Sequence, residues 1–312
     1  MMADDRYAHQ PVLVEEVLEA LNVMPAGSYV DATFGRGGHA DALLQRLGPD
    51  GRLLAIDRDP EAVRHARQSI HDRRFSVVHA SFSSLEAICE QHALDGCLNG
   101  ILFDLGVSSP QLDDAGRGFS FRSDGPLDMR MNPDEGVSAA VWLAGVGEQE
   151  LERIIREYGE ERFARRIARA VVRARRDEPI VTTAQLAAVV TAAVPRTEPG
   201  KDPATRTFQA LRIRINHELD ELRAGLEQAL NVLATGGRLA VISFHSLEDR
   251  IVKRFIRSGS SAPSLLRGLP VTASEFRPRW RAIGRVIRPR AGETRDNPRA
   301  RSARLRVAEK LH

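Results

Sequence analysis

The first hundred residues alternate amphipathic segments with short apolar ones, and this alternation constrains the fold more than any other feature of the chain. Helical periodicity is found over residues 12–21, 39–47, 60–69 and 85–92. Strand-like apolar segments follow at residues 28–31, 52–57, 75–79 and 100–104. Strands that are separated by helices of this length form βαβ units, in which the strands lie parallel. The sequence therefore predicts an α/β domain with a mostly parallel sheet.

This alternation is interrupted after residue 104. Residues 111–136 are rich in Gly, Asp, Pro and Met and are predicted to be a long loop. Helical periodicity then prevails over residues 149–176, with a break near Gly159, and over residues 183–194 and 204–233. Strand-like segments return at residues 237–243 and 303–308, with a helix predicted over residues 247–256. We therefore predict a first domain of residues 1–112 and 217–312, interrupted by a mostly helical insert of residues 113–216.

Composition excludes several classes of protein. Hydrophobic residues make up 42% of the chain and charged residues 28%, which is typical of a globular protein and not of a disordered one. No apolar run approaches the ~20 residues of a membrane span, and residues 1–9 lack the apolar segment of a signal peptide. Cys89 and Cys97 have no CxxC partner, so neither a disulfide framework nor a zinc site is expected. We expect a cytoplasmic protein that does not bind a membrane.

The turn after the first strand is rich in glycine. Gly35, Gly37 and Ala40 satisfy the G-x-G-x-x-G/A dinucleotide pattern, and Asp57 follows Gly35 by 22 residues, at the end of the second strand. Glycines let the backbone approach a ligand closely, and the next helix offers unpaired N–H groups at its start. A carboxylate at the end of the second strand binds ribose hydroxyls in nicotinamide enzymes and in S-adenosylmethionine (SAM) enzymes alike.

Three residues favour SAM as the cofactor. Asp31 comes four residues before the first glycine, where an acid can meet the methionine ammonium group. Phe82 follows the third strand, where an apolar ring can lie against adenine. Asp104 ends the fourth strand, beside the crevice expected where the strand order reverses. Structural alternatives remain open: Asp57 could cap a helix, Phe82 could belong to the core, and Asp104 could cap a turn.

Polar side chains that suit methyl transfer follow two of the predicted strands. An exocyclic base amine is a poor nucleophile, and oxygen acceptors that bind its N–H groups would orient it for attack. Residues of suitable type after the fourth strand are Asp104, Ser108 and Ser109. After the fifth strand, His245 could act as a base; the alternative is a plain helix start, with Ser246 as its cap and Asp249 as the acid of a capping box. No cluster has metal-ligand spacing, so no metal is expected.

Several longer motifs resemble those of one family. They are His9-Gln-Pro-Val-Leu13, residues 31–39, Ala55-Ile-Asp-Arg-Asp59, residues 104–113, Gly118-Phe-Ser-Phe121, residues 124–130, residues 243–249 and residues 297–306. With these motifs the chain resembles, nearly end to end, the bacterial 16S ribosomal RNA (cytosine-N4)-methyltransferase family. Residues 109–110 are also loosely similar to the Ser-Pro-Pro-aromatic motif of DNA amino-methyltransferases, although Gln111 stands in place of the second Pro.

The resemblance implies a class I SAM-dependent methyltransferase fold with an inserted helical domain for substrate recognition. It implies methylation of the N4 amine of one cytosine in the P-site region of 16S rRNA, within the small ribosomal subunit or a late assembly intermediate. The residues that it implies at the SAM site are Gly37, Gly38, His39, Asp57, Phe82, Asp104 and Gln111. The chain is expected to act as a monomer or a homodimer, and the proton acceptor is left open.

Two segments are dense in arginine. Residues 277–306 contain eleven Arg and two acidic residues, and residues 152–176 contain nine Arg and four Glu. The remainder of the chain outside residues 277–306 carries 34 basic and 40 acidic side chains, so the net charge of +3 hides a strongly basic end. Both segments are candidates for contact with RNA phosphates. For the first of them in the chain, residues 152–176, the alternative is a solvated helix with i,i+4 pairs such as Glu157 with Arg153 and Glu161 with Arg165.

Two other functions remain open from the residues alone. The glycine pattern and Asp57 also fit a dinucleotide-dependent oxidoreductase. A ribosome-assembly factor with a vestigial cofactor pocket is the third possibility, although the intact turn glycines, Asp57 and Asp104 argue against it.

Overall fold

The computed structural model describes residues 11–195, 200, 202–260 and 277–312. The chain divides into two compact units, Met1–Gly106 with Leu219–His312 and Val107–Glu218. The second unit begins six residues before the predicted insert of residues 113–216 and ends two residues after it, because Val107 and Leu112 pack against the core of the helical unit. His9 and Gln10 of the first motif lie outside the described residues.

One seven-stranded sheet forms the centre of the first unit. Its strands are β1 (Ser28–Asp31), β2 (Arg52–Asp57), β3 (Phe75–His79), β4 (Leu98–Asp104), β5 (Leu233–Ser243), β6 (Trp280–Ile287) and β7 (Arg304–Lys310). They are ordered β3-β2-β1-β4-β5-β7-β6. The first five are parallel, and β7 is antiparallel to both β5 and β6. The predicted α/β class with a mostly parallel sheet is confirmed.

Helices flank the sheet in the first unit and make up most of the second. In chain order they are α1 (Val14–Leu21), α2 (Gly38–Arg46), α3 (Pro60–Ser69), α4 (Leu85–Gln91), α5 (Ser109–Asp113), α6 (Ala139–Gly145), α7 (Glu148–Gly159), α8 (Ala164–Asp177), α9 (Thr183–Ala193), α10 (Thr205–Asn216), α11 (Glu218–Val232), α12 (Ser246–Ser260) and α13 (Ala291–Asp296). Among the described residues, no helix combines the length and the apolar composition that a membrane crossing requires.

The sheet has an apolar core on each face, as a sheet covered by helices on both sides requires. Along β2, Leu54 and Ile56 belong to one core, and Leu53 and Ala55 belong to the other. All four side chains are at most 1% exposed. Since both faces are covered, polar side chains of the inner strands collect where the strands end.

The second unit has its own core, formed mainly by α6 to α10. The break predicted near Gly159 is confirmed, since α7 ends there. The single helix predicted over residues 204–233 is wrong, because α10 and α11 are separated at His217, whose backbone is left-handed (φ 52°). The preceding Asn216 is buried and bonds the backbone of Met129 and Met131, which fixes the chain at this point. Hydrophobic periodicity reflects neighbours in sequence, so it could not reveal this contact between distant residues.

The C-terminal region of the first unit holds two elements that the sequence patterns did not predict. They are β6, at the edge of the sheet, and the short helix α13. The strand pairs with β7 through a register shift between Ile283 and Ile287, and Gly284 between them has a positive φ of 66°. Its apolar residues therefore do not alternate regularly along the strand, and periodicity fails as a signal.

Candidate functional site

The glycine-rich turn joins β1 to α2. Gly35 and Gly37 both adopt left-handed backbone conformations, with φ values of 56° and 81°. A Cβ atom on Gly37 would lie 2.7 Å from the ring of Phe34, which is buried beneath the turn. The amide of Gly37 donates to the carbonyl of Phe34 at 2.8 Å and closes the turn. Glycine at position 37 is therefore required both by the backbone angle and by the space.

Asp57, at the end of β2, fixes this turn from the side. One carboxylate oxygen accepts the N–H of Gly35 at 2.7 Å, and the other accepts the N–H of Asp59 at 2.8 Å. Burial raises the pKa of Asp57 to about 6, although these two N–H groups favour its charged form. The helix-cap alternative is wrong for Asp57, because Asp59 is the cap of α3 and accepts the N–H of Glu61.

Asp31 ends β1 and is 1% exposed. One carboxylate oxygen accepts the N–H of Thr33, and the other, Oδ2, has no hydrogen-bond partner among the described residues. Burial raises the pKa of Asp31 to about 7, while the nearby charge of His39 lowers it. A buried carboxylate with a free oxygen is costly, which points to a ligand that supplies a donor or a positive charge there.

His39 and Asp104 form a buried pair at the ends of α2 and β4. Nε2 of His39 lies 3.5 Å from Oδ2 of Asp104, and their side chains are 6% and 20% exposed. Burial lowers the pKa of His39, but the hydrogen bond to Asp104 and the charges of Asp104 and Asp31 raise it more, so it lies above its ordinary value. Oδ1 of Asp104 is buried and has no hydrogen-bond partner among the described residues. This oxygen is therefore available to a substrate or a cofactor.

Phe82 follows β3 in a short 3-10 turn. Its ring packs edge-on against Phe103 with the centroids 5.2 Å apart, and Gly225 of α11 lies close to the ring, since a Cβ there would be 2.8 Å away. Phe82 is nevertheless only partly buried. The two alternatives for this residue are compatible, because one side of the ring joins the core and the remainder is accessible to a ligand.

His245 lies two residues after the end of β5. The predicted helix cap, Ser246, is wrong by one residue. The helix α12 begins at Ser246, which makes His245 the capping position and Glu248 the acid three residues later. Oε2 of Glu248 accepts the N–H groups of Phe244 and His245 at 2.8 and 3.2 Å. Oε1 of Glu248 lies 3.1 Å from Nε2 of His245. Asp249, predicted as the capping acid, instead pairs with arginines of β7.

Ser108, Ser109 and Gln111 belong to the second unit, at the start of α5. Ser108 and Gln111 form a capping box, in which the Gln111 amide oxygen accepts the Ser108 N–H at 3.0 Å. Gln111 is 5% exposed. Their roles in catalysis and cofactor binding stay predictions.

Two residues that the sequence reasoning missed support the site. Oγ1 of Thr33 accepts the backbone N–H of Asp104 at 2.6 Å and so ties the end of β4 to the turn after β1. Glu248, which is 2% exposed, holds the start of α12. The position of Glu248 three residues after a possible cap was a usable signal, whereas nothing in the sequence marked Thr33.

The two arginine-rich segments differ in how far they pair internally. In the C-terminal segment, Arg304 and Arg306 bind Asp249 at 2.9 and 2.7 Å, and Arg281 binds Glu309 at 2.5 Å. The charge of these three arginines is therefore largely used inside the first unit.

In residues 152–176 the internal pairs are concentrated on α7. Arg153 pairs with Glu157 at 3.1 Å, as predicted, and Arg156 pairs with Glu152. The predicted pair of Glu161 with Arg165 is wrong, because Glu161 lies 3.7 Å from Arg206 instead.

Comparison with known proteins gives a family for nearly the whole chain. The model of a family described as the MraW methylase family matches residues 6–311. A protein of Coxiella burnetii (strain RSA 331 / Henzerling II) named ribosomal RNA small subunit methyltransferase H is 55% identical over 305 residues, which cover 97% of this chain and 99% of that protein. A protein of the same name from Thioalkalivibrio sulfidiphilus (strain HL-EbGR7) is 56% identical over 306 residues, covering 97% and 98%. The structure of an rRNA methylase from Streptococcus thermophilus aligns with 98% of this chain and 100% of that one, at 13% identity and a TM-score of 0.43.

Proposed function

Because this chain belongs to the MraW methylase family, we propose that it transfers a methyl group from SAM to the N4 amine of one cytosine in the P-site region of 16S rRNA. The fold class implied by the resemblance, a class I SAM-dependent methyltransferase, is confirmed. The relatives named as small-subunit rRNA methyltransferases support ribosomal RNA as the substrate. The proposal goes further in naming the target as the N4 atom of one cytosine. It also names the substrate particle as the small subunit or a late assembly intermediate.

The buried groups at the end of the parallel strands fit SAM. Bound SAM supplies an electrophilic methyl group, and the remainder of the molecule offers an ammonium group, ribose hydroxyls and an adenine ring. Asp31, whose Oδ2 has no partner among the described residues, would bind the ammonium group. Asp57 would accept the ribose hydroxyls, since each carboxylate oxygen accepts more than one hydrogen bond. Phe82 would lie against adenine.

The remaining cofactor contacts rest on the sequence. Gly35 is proposed on the glycine pattern, and Gly37, Gly38, His39 and Gln111 are proposed on the resemblance. The turn supports its part, because the first amides of α2 lie at the start of a helix and point away from its body.

The free oxygen of Asp104 is the observation that carries the proposed chemistry. We propose that Oδ1 accepts an N–H of the cytosine amine, which directs the nitrogen lone pair toward the methyl group. As the bond from nitrogen to the methyl carbon forms, the bond from that carbon to the SAM sulfur would break and S-adenosylhomocysteine would leave. The amine would lose one proton to the Asp104 carboxylate. His39 is proposed as a positioning residue, because its Nε2 lies 3.5 Å from Oδ2 while Oδ1 stays available to the substrate.

Asp104 suits this role better than the other predicted candidates. The ring nitrogen Nε2 of His245 already faces the buried carboxylate of Glu248, so His245 is proposed to hold the start of α12 and not to take the proton. Ser108 is engaged in a capping box, and Ser109 remains a proposed contact to the base.

Transfer of labelled methyl groups is the direct test. Small ribosomal particles from a strain that lacks this enzyme should accept about one methyl group each, recovered as N4-methylcytidine, and particles that are already modified should accept none. No label in any RNA would exclude the methyltransferase in favour of an assembly factor. Calorimetry separates the oxidoreductase, since S-adenosylhomocysteine should bind and NADH should not.

We also propose a cytoplasmic location for the protein. Cys89 is buried and Cys97 is exposed, and both thiols are free, which supports a reducing cytoplasmic setting. A monomer or a homodimer stays the prediction for the assembly, and light scattering of the purified chain distinguishes the two.

A further inference from the structure

One face of α8 is covered by arginine side chains. We call Arg165, Arg166, Arg169, Arg173 and Arg176 the α8 arginine stripe; all five are exposed. At 3.6 residues per turn they fall within an arc of about 100° along the helix. The opposite face is apolar and buried, through Ala164, Ile167, Ala168, Val171 and Val172. The helix therefore separates most of its charge from its core, with the half-buried Arg175 on the apolar side.

The stripe is largely without internal ion pairs. Within the part of the chain that the structure describes, its one ion pair joins Arg169 to Glu148 across 3.8 Å, and both side chains are exposed (65% and 40%). Three nearby acidic residues are already engaged, Glu152 and Glu157 with arginines of α7 and Glu161 with Arg206. The exposed Asp177, at the end of α8, forms no ion pair with Arg173 four residues before it in the part of the chain that the structure describes. A solvated helix stabilised by i,i+4 pairs thus describes α7 and not α8.

Like charges at this spacing repel one another and weaken the isolated helix, so helix stability does not explain the stripe. Arg175, which lies off the stripe, donates to the carbonyl of Leu143 and stabilises the unit. Among the described residues, the side chains of the stripe arginines make no comparable contact to the body of the unit, apart from the long ion pair of Arg169 with Glu148. Their contribution to folding is small, and their charge is available to a partner.

We propose that the α8 arginine stripe binds the sugar-phosphate backbone of the substrate RNA. The inference rests on the proposed function, which supplies an RNA as the partner, and it names the surface. From Arg165 to Arg176 the helix rises about 16 Å, on the order of four phosphates of one strand. A guanidinium group can donate two parallel hydrogen bonds to two oxygens of one phosphate, and it remains charged at every physiological pH. A single-sign row of this kind fits a polyanion.

A matched pair of double variants tests the stripe. Arg166→Gln with Arg173→Gln removes two exposed charges from α8, and Arg153→Gln with Arg156→Gln removes two exposed charges from α7 that already have acidic partners. The probe is a protein-free 16S rRNA transcript, and its affinity is measured as a function of salt. The α8 variant should bind about tenfold more weakly, and the slope of log K against log salt should fall by about 2, or 1 for each phosphate contact. The α7 variant should leave the slope unchanged.

Four outcomes decide the matter. The expected result is a loss of slope confined to the α8 variant, with an unchanged thermal midpoint and an unchanged kcat at saturating RNA. Equal slopes in the two variants, or no change in either, overturn the proposal. Normal binding of naked RNA with weaker binding of ribosomal particles also overturns it, in favour of an acidic protein partner. If the wild-type chain transfers no methyl group although its slope depends on the stripe, the proposed function fails and the RNA surface stands.

Discussion

The charges at the ends of the parallel strands and the charges on α8 are held in opposite ways. Asp31 and His39 are 1% and 6% exposed, and each faces a small number of fixed partners. The α8 arginine stripe is exposed, and its members have few partners of any kind among the described residues. A buried charge has a large effect on one step, whereas an exposed charge adds a small increment that salt screens.

This difference predicts how substitutions divide between chemistry and binding. Changes at the strand ends should alter kcat or cofactor affinity strongly and one residue at a time. Changes on α8 should alter only RNA affinity, in roughly equal and additive steps.

We expect Asp104→Asn to reduce kcat for methyl transfer about 10³-fold, because the amide cannot take the amine proton. Binding of S-adenosylhomocysteine should change less than tenfold, since the side chain keeps its shape. Single-turnover transfer and calorimetry measure the two quantities, and Asp50→Asn, at an exposed loop position, is the control. A normal kcat would move the reacting centre away from β4.

We expect Asp57→Ala to weaken S-adenosylhomocysteine about 100-fold, because charged hydrogen bonds to the ribose and to the Gly35 turn are lost together. Isothermal calorimetry measures the change. The control is Asp72→Ala, which removes the hydrogen bonds of a half-buried carboxylate to the side chain and the backbone N–H of Arg74. Equal affinity in the Asp57 variant and the wild type would show that the ribose is held elsewhere.

Cofactor affinity should depend on pH through Asp31. Its pKa is about 7 in the free protein, and the ammonium group binds the charged form. The affinity for S-adenosylhomocysteine should therefore rise as the pH increases from 6 to 8, by up to about tenfold per unit below 7. Asp31→Asn should bind weakly and lose this dependence between pH 6 and 8; an unchanged profile in that variant would assign the titration to another group.

The same substitution should stabilise the cofactor-free protein. An acid whose folded pKa is raised contributes stability below its unfolded pKa and loses that contribution as the pH rises through the folded value, here from about 4 to 7. At pH 8 the wild type keeps a buried charge that Asp31→Asn lacks, so the melting temperature of the variant should be higher by ~2 °C or more. A lower melting temperature at pH 8 would contradict the buried charge.

The smallest expected effects compare arginines of the two segments. Asp249→Asn removes the partner of Arg304 and Arg306 and should destabilise the first unit by about 1–2 kcal/mol. Glu148→Gln removes the exposed partner of Arg169 and should cost under about 0.5 kcal/mol. Urea unfolding measures both, and equal losses would mean that α8 pairs as firmly as β7.

The parallel strands and the glycine turn could be predicted because local patterns encode them. Three buried strands and the edge strand β3 appear as apolar runs of the right length. Gly35 and Gly37 stand where the backbone needs positive φ. Asp31, Asp57 and Asp104 end three of those strands, so parallel pairing alone brings them to one edge of the sheet.

Other features depend on contacts between distant parts of the chain. The end of α10 at His217 follows from the bonds that Asn216 makes to the loop near Met129. The hydrogen bond from the backbone N–H of Asp104 to Thr33 joins residues far apart in sequence. The same holds for the ion pair of Asp249 with Arg306 of β7. Periodicity describes only neighbours in sequence, so it contains none of these.

The sequence by itself determined the fold class and the family, and it indicated the end of the sheet at which the cofactor is proposed to bind. Strand patterning, glycine positions and long motifs are local properties of the chain. Which arginines remain available was decided by the tertiary structure alone. The two segments carry net charges of +9 and +5, so both are candidates from the sequence. Folding brings Asp249 and Glu309 to Arg281, Arg304 and Arg306, whereas the one ion pair of α8 among the described residues joins Arg169 to the exposed Glu148. A charge is free only if no opposite charge is folded against it, and that depends on three-dimensional distance.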